Sequence, residues 1–207
     1  MAIPKPKNNF GNTPPQNPSK DRILVVCEGK STEPNYFRGL ANFYRLNNVK
    51  IVGKGATPKA IVNEAKHINS TEKTEYGDGY DQVYCVFDRD EHPDFNEAKD
   101  AAKKVGFITI FSWPCFEYWI LLHFKFTRRP YASSSGRTPA QNCMKSLKDS
   151  FSEYEKNNKN LFNELSPRLD TAKTNSIRAL RDAEKTKEFN PSTKVHVLVE
   201  ELQSQDF

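Results

Sequence analysis

Two short apolar runs, each ending abruptly in an acid, constrain this chain more than any other feature. Ile23-Leu24-Val25-Val26-Cys27 leads into Glu28 and Gly29, and Val83-Tyr84-Cys85-Val86-Phe87 leads into Asp88, Arg89 and Asp90. Runs of this length, rich in valine and isoleucine and without polar alternation, are expected of strands buried on both faces, as in parallel sheets covered by helices. Acids at the C-terminal ends of such strands sit where open α/β sheets bind ligands.

The segments between and after these runs fit crossovers. Ser31-Thr32-Glu33-Pro34 supplies a hydroxyl cap, an acid for the first turn and an early proline, so a helix is expected to about Leu46. Its Tyr36, Phe37, Leu40 and Phe43 or Tyr44 form one apolar stripe, a core face rather than a base-stacking surface. A second strand is expected over Val49 to Val52, then a glycine-bearing turn and a helix carrying Ile61, Val62, Ala65 and Ile68. Thr71 to Asp81 reads as a surface loop. Phe95, Ala98, Ala102 and Val105 mark a third helix and Phe107 to Phe111 a fourth strand. The order βαβαβαβ requires crossovers, which are right-handed almost without exception.

From Ser112 onward the pattern turns helical, and the stretch to Phe124 is apolar nearly all round, as in a helix buried on several sides. Lys125 to Arg137 holds four basic residues and no acid among serines and a glycine, and reads as a mobile cationic loop. Beyond Pro139 the spacing is helical, with Leu169, Ala172, Ile177, Leu180 and Ala183, then Val195, Leu198, Val199 and Leu202, as inward faces. The chain thus divides into a flexible, proline-bearing N-terminal arm (1–21), an α/β core (22–124), a basic loop (125–139) and a helical C-terminal region packed on the core (140–207). The sheet should have about four strands flanked by helices. A length of 207 residues is enough for a single core.

Composition excludes several classes. No stretch approaches the ~18 consecutive apolar residues of a membrane span, and the first twenty residues lack the apolar centre of a signal peptide, so a soluble, cytoplasmic protein is expected. Cys27, Cys85, Cys115 and Cys143 lie far apart with no C-x-x-C pair, which suits buried thiols rather than zinc ligands or disulfides. A net charge of +5 is compatible with nucleic acid without demanding it.

If the two acid-tipped strands are neighbours, their axes lie ~4.8 Å apart and Glu28, Asp88 and Asp90 can converge on one ion. Asp88 and Asp90, two apart, point the same way while Arg89 points opposite. Oxygen-only ligands favour Mg²⁺ or Mn²⁺ over zinc, and three clustered acids resist ionisation without a cation. The alternative is structural: the aspartates cap the following turn or pair with Arg89 and His92. A phosphatase with Asp88 as nucleophile would need its D-x-D after the first strand, not the third. Glu33 either ligates or merely favours the positive helix N-terminus. Glu117, an acid in an apolar stretch, is either a ligand brought in by the fourth strand or half of a buried ion pair. His123 is expected to be a packed core histidine. Lys54 between glycines, and the loop's Arg128, Arg129 and Arg137, are candidate phosphate contacts, against the alternative of solvated surface charge.

The Glu28-Gly29 and Asp88-Arg89-Asp90 strand ends resemble the Toprim domain of topoisomerases, primases and related nucleases. The longer strings from Val25 to Phe37 and from Cys115 to Phe124 resemble the RloB family more specifically, and this similarity runs from about Arg22 to Leu202, ending in Asn190-Pro191-Ser192-Thr193. The resemblance implies a Toprim-like fold and a role in phage defence or abortive infection, sometimes beside an RloA-type ATPase partner. It also implies a metal-dependent nuclease with Glu28 as a metal ligand or general acid/base, Asp88 and Asp90 as metal ligands and Glu33 as a further candidate; on that reading the three are the catalytic acids, Lys30 beside them stabilises charge on the phosphate, and Glu117 is another candidate ligand. In the similar OLD-family nucleases the second acid of an E-G-x-x-E pattern falls one residue earlier than Glu33. A second class of function remains open, a non-catalytic nucleic-acid- or partner-binding effector subunit of an ATPase-containing defence system.

Overall fold

Strand β1 (Ile23–Cys27) lies inside the sheet, parallel to β2 (Val49–Gly53) on one side and to β3 (Gln82–Asp88) on the other. Beyond β3 come β4 (Ile108–Trp113), also parallel, and the two-residue β5 (Ser192–Thr193), antiparallel, giving the order β2-β1-β3-β4-β5. The chain is seen in a computed structural model that describes residues 20–89 and 93–206. The expected N-terminal arm, apart from its last two residues, lies outside them, as do Asp90 and His92.

All five residues of β1 are buried, because both faces are covered. Ile23, Val25 and Cys27 point into one core with Tyr84, Val86 and Ile110, while Leu24 and Val26 point into the other with Val83, Cys85 and Phe87. Helix α1 (Thr32–Phe43) covers the first face with Tyr36, Phe37 and Leu40; α2 (Pro58–Tyr76) and α3 (Phe95–Lys104) cover the second. The aromatic stripe of α1 is core: the Tyr36 ring meets Phe116, Trp119 and Phe162 edge-on. Each such ring removed from water contributes about 1.5–3 kcal/mol. Phe43 faces solvent instead, and Tyr44 takes its place against the core.

Helix α2 continues through Thr71 to Tyr76, where a surface loop is expected. That last part carries no apolar period; Glu72, which pairs with Arg22 and accepts the Tyr80 hydroxyl at 3.1 Å, ties it down until Gly77, at φ +89°, ends it. Ser112 and Trp113 belong to β4 rather than to a helix, since they pair with Thr193 and Ser192. The helix expected there shrinks to α4 (Glu117–Leu121), every residue of which is buried.

The C-terminal region, α5 (Pro139–Ser150), α6 (Leu161–Leu165), a 3₁₀ turn at Ser166–Arg168, α7 (Leu169–Thr186) and α8 (Val195–Ser204), joins the same core as α1. Helix α8 buries Val195, Leu198, Val199 and Leu202, as its spacing predicts. In α7 the inward face is Leu169, Ala172, Ser176, Ala179 and Ala183, and Ile177 is 45% exposed. Small residues let α7 approach β5, where Ser176 Oγ donates to Thr193 O at 3.2 Å. All four cysteines are buried and unbridged. Among the described residues no helix is long and apolar enough to cross a membrane.

Candidate functional site

Because β2 and β3 flank β1 on opposite sides, the crossovers leaving β1 and β2 deliver the chain to opposite sides of β1. The C-terminal ends of β1 and β3 therefore form the crevice at which open α/β sheets place ligands. Glu28 and Asp88 sit there side by side. Glu28 N donates to Val86 O at 2.8 Å, and Glu28 Oε2 accepts the Asp88 backbone N–H at 3.0 Å. Both residues are half-buried. On the next strand Ser112 O receives the Arg89 N–H at 2.7 Å, and the Arg89 guanidinium lies 4.5 Å from the ring centres of both Phe95 and Trp113. That double stack engages Arg89 in cation–π contacts.

The two acids open onto a cleft of about 540 Å³ that also contains Lys30, Glu33, Glu117 and Lys156. Gly29 is small for a reason: a Cβ there would collide with the Glu33 carboxylate, which lies against it. Gly55, at φ +68°, leaves room for the stem of Lys30 to cross it. Glu33 is buried, and its pKa is raised by burial first, with the nearby charge of Glu117 adding to the shift; hydrogen bonds from its own and the Gly29 backbone oppose it.

Glu117 opens α4 and is 4% exposed. Its Oε1 accepts the Tyr154 hydroxyl at 3.0 Å and lies 3.4 Å from Lys156 Nζ. Burial works against the charged form of Lys156, but the charge and hydrogen bond of Glu117 outweigh it and raise its pKa. Burial and then the same carboxylate push the Tyr154 hydroxyl up. The loop carrying Tyr154 and Lys156 is fastened to α1, where Thr32 Oγ1 donates to Lys156 O at 2.9 Å. Glu117 is thus ion-paired, as one of the two sequence alternatives expects, and it also lines the cleft. Tyr154 and Lys156 are absent from the sequence reading, because nothing local to a polar loop ties it to a strand end far upstream.

The donor chemistry is that of a hard cation: all four acids of the cleft offer only oxygen atoms, the repulsion felt by Glu33 is of the kind a divalent ion relieves, and Mg²⁺ needs only one or two carboxylates beside water and phosphate. Among the described residues no three His, Cys, Asp or Glu side chains are placed to hold one metal ion. Glu28 and Asp88 are adjacent across two strands, whereas Glu33 and Glu117 form a second, deeper pair. Asp90, the third expected ligand, lies outside the described residues.

The candidate phosphate contacts lie elsewhere. Lys54 Nζ is 2.8 Å from Glu64, as a surface ion pair. Arg128 is built into the fold: its Nε donates to Asp182 Oδ2 at 2.9 Å, and its other nitrogens donate to Pro191 O and Glu188 O. Arg129 and Arg137 are exposed, the latter in a turn closed by paired Ser134–Arg137 backbone bonds. The expected mobile loop is a fastened strap, because Tyr118 Oη donates to Thr127 O at 2.8 Å and Asn190 bonds both the N–H and the carbonyl of Tyr131. His123 is a core histidine, 1% exposed beside Trp119, and burial lowers its pKa to about 4.

A mostly parallel, helix-covered sheet with acids gathered at its switch point defines an α/β protein with an acid-lined cleft at its strand ends. The chain belongs to the RloB-like protein family, whose model matches residues 23–202. No curated protein and no solved structure matches it.

Proposed function

We propose that this chain is a Mg²⁺- or Mn²⁺-dependent nuclease of the Toprim type, cleaving phosphodiester bonds of nucleic acid in the cytoplasm as part of phage defence or abortive infection, alone or beside an RloA-type ATPase. One observation carries the proposal: Glu28 and Asp88, joined through the Asp88 amide, stand at the ends of the two central strands in a cleft with lysines on its rim. Membership of the RloB-like family and the likeness of both strand ends to Toprim motifs support it.

A divalent ion bound at these carboxylates would polarise the phosphodiester and lower the pKa of a bound water. The amide of Asp88 orients the Glu28 carboxylate, which is then placed to take a proton. Burial raises the pKa of Glu33, the direction that a group exchanging protons near neutral pH needs. Lys30 and Lys156 supply cationic groups toward charge developing on the phosphate.

The second reading, a non-catalytic effector subunit, is favoured by the extent to which Glu117 is already held by Tyr154 and Lys156. Incubation of the full chain with supercoiled plasmid, single-stranded DNA and RNA, with Mn²⁺ or with chelator, separates the two. The nuclease reading expects metal-dependent cleavage that falls by about 100-fold or more in both Glu28→Gln and Asp88→Asn. Metal binding without cleavage of any of the three substrates would favour the effector, and cleavage undiminished in both variants would refute this site.

A further inference from the structure

The strap from Lys125 to Arg129 runs between two grooves. Side chains of Lys125, Thr127 and Arg129 line one groove, of about 480 Å³, together with Lys145 of α5. Phe126 and Arg128 line the other, of about 430 Å³, together with Arg178, Arg181 and Lys185 of α7. Alternation along an extended segment sends successive side chains to opposite sides, so one strap delivers cations to both grooves. The three α7 residues fall at i, i+3 and i+7 and therefore share one helix face.

Each groove is strongly biased in sign. The first holds three basic side chains against Asp149, and the second four against Asp182, whose carboxylate is already bonded to Arg128. Arg178 lies 4.0 Å from the centre of the Phe126 ring, a stack that pre-orients its guanidinium. Arg128 plays the complementary part: fixed by Asp182, Glu188 and Pro191, it anchors the strap and leaves its exposed neighbours to face a ligand.

We infer that the strap and the outer face of α7 form a binding surface for the phosphate backbone of nucleic acid, with Lys125, Arg129 and Lys145 on one side and Arg178, Arg181 and Lys185 on the other. This rests on the proposed action on nucleic acid and names the surface, separate from the acid-lined cleft, that would hold the strand. Concave grooves with fork-shaped guanidinium donors and an interleaved aromatic ring suit a charged polymer chain, whereas an anionic membrane is met best by a flat face. Phosphate contacts of this kind position a strand without reading its sequence.

The test uses the full chain carrying Glu28→Gln, without divalent metal, so that binding is measured apart from cleavage. Fluorescence anisotropy with labelled single-stranded DNA, duplex DNA and RNA is followed across a salt series. Reversal of Arg178, Arg181 and Lys185 to Glu, or of Lys125, Arg129 and Lys145 to Glu, is expected to weaken binding at least about tenfold and to reduce the salt slope by about 2–3, at 0.7–0.9 per phosphate contact. The same reversal of Lys99, Lys103 and Lys104, exposed on α3 across the sheet, is the control for net charge and is expected to leave most of the affinity and slope. Circular dichroism melts confirm folding of each variant. Equal losses in the α3 control, unchanged binding in the two test variants, or competition by phosphatidylserine vesicles or polyglutamate as strong as by unlabelled nucleic acid would overturn the inference. Salt-dependent binding through these residues in a chain that never cleaves would leave this surface standing and refute the nuclease reading alone.

Discussion

Gly29→Ala isolates the contact on which the shape of the cleft depends. The backbone of Gly29 is not at positive φ, so alanine is tolerated there conformationally, and the damage comes from the Cβ meeting the Glu33 carboxylate. Glu33 must then leave a site where it is 7% exposed and gives up hydrogen bonds from its own and the Gly29 backbone. Bonds to a charged acceptor contribute about 1.5–3 kcal/mol each, and hydration of the displaced carboxylate in the cleft restores part of that, so a loss of about 2–4 kcal/mol is expected. In a Glu33→Ala background the obstruction is gone. The same Gly29→Ala change should then be neutral or stabilise by up to about 1 kcal/mol, because alanine restricts the unfolded chain. Urea denaturation of the parent, both single variants and the double variant closes the cycle, with an expected coupling of about 2–5 kcal/mol. An equal cost of Gly29→Ala in both backgrounds would show that Glu33 does not explain the glycine.

Two further outcomes follow from the electrostatics and the strap. Because burial raises the Glu33 pKa in the folded state, its contribution to stability is fully present below its unfolded pKa, near 4.5, and is lost as pH rises through the folded value. In chelator, Glu33→Gln should therefore gain stability relative to the parent as pH is raised above about 4.5; a stability difference that stays flat with rising pH in paired denaturation curves would contradict the assignment. Arg128→Ala removes the bonds to Asp182, Glu188 and Pro191 and should cost about 2–3 kcal/mol, whereas exposed Arg129→Ala should stay within about 0.5 kcal/mol. Equal thermal shifts for the two would remove the structural distinction between them.

The parallel core was legible because strands buried on both faces cannot alternate: Ile23 to Cys27 and Val83 to Phe87 had to be continuously apolar, and the acids had to wait for the strand ends. Helical period gave away the inward faces of α1 and α8 for the same reason. Where several partners share a helix the period misleads, and in α7 the close approach to β5 selects Ser176 and Ala179 over the larger Ile177. Exposed helix such as the end of α2 carries no apolar signal at all.

From the chain itself came the α/β class, the strand-end acids and a basic loop, since each is written in local pattern and period. Tertiary structure alone decided that β1 and β3 are neighbours with Glu28 against the Asp88 amide, that Glu33, Glu117, Tyr154 and Lys156 meet in one cleft, and that Arg128 anchors while Arg178, Arg181 and Lys185 line a groove beside it. Such meetings depend on which faces of distant segments exclude water together, and no window of sequence contains both partners.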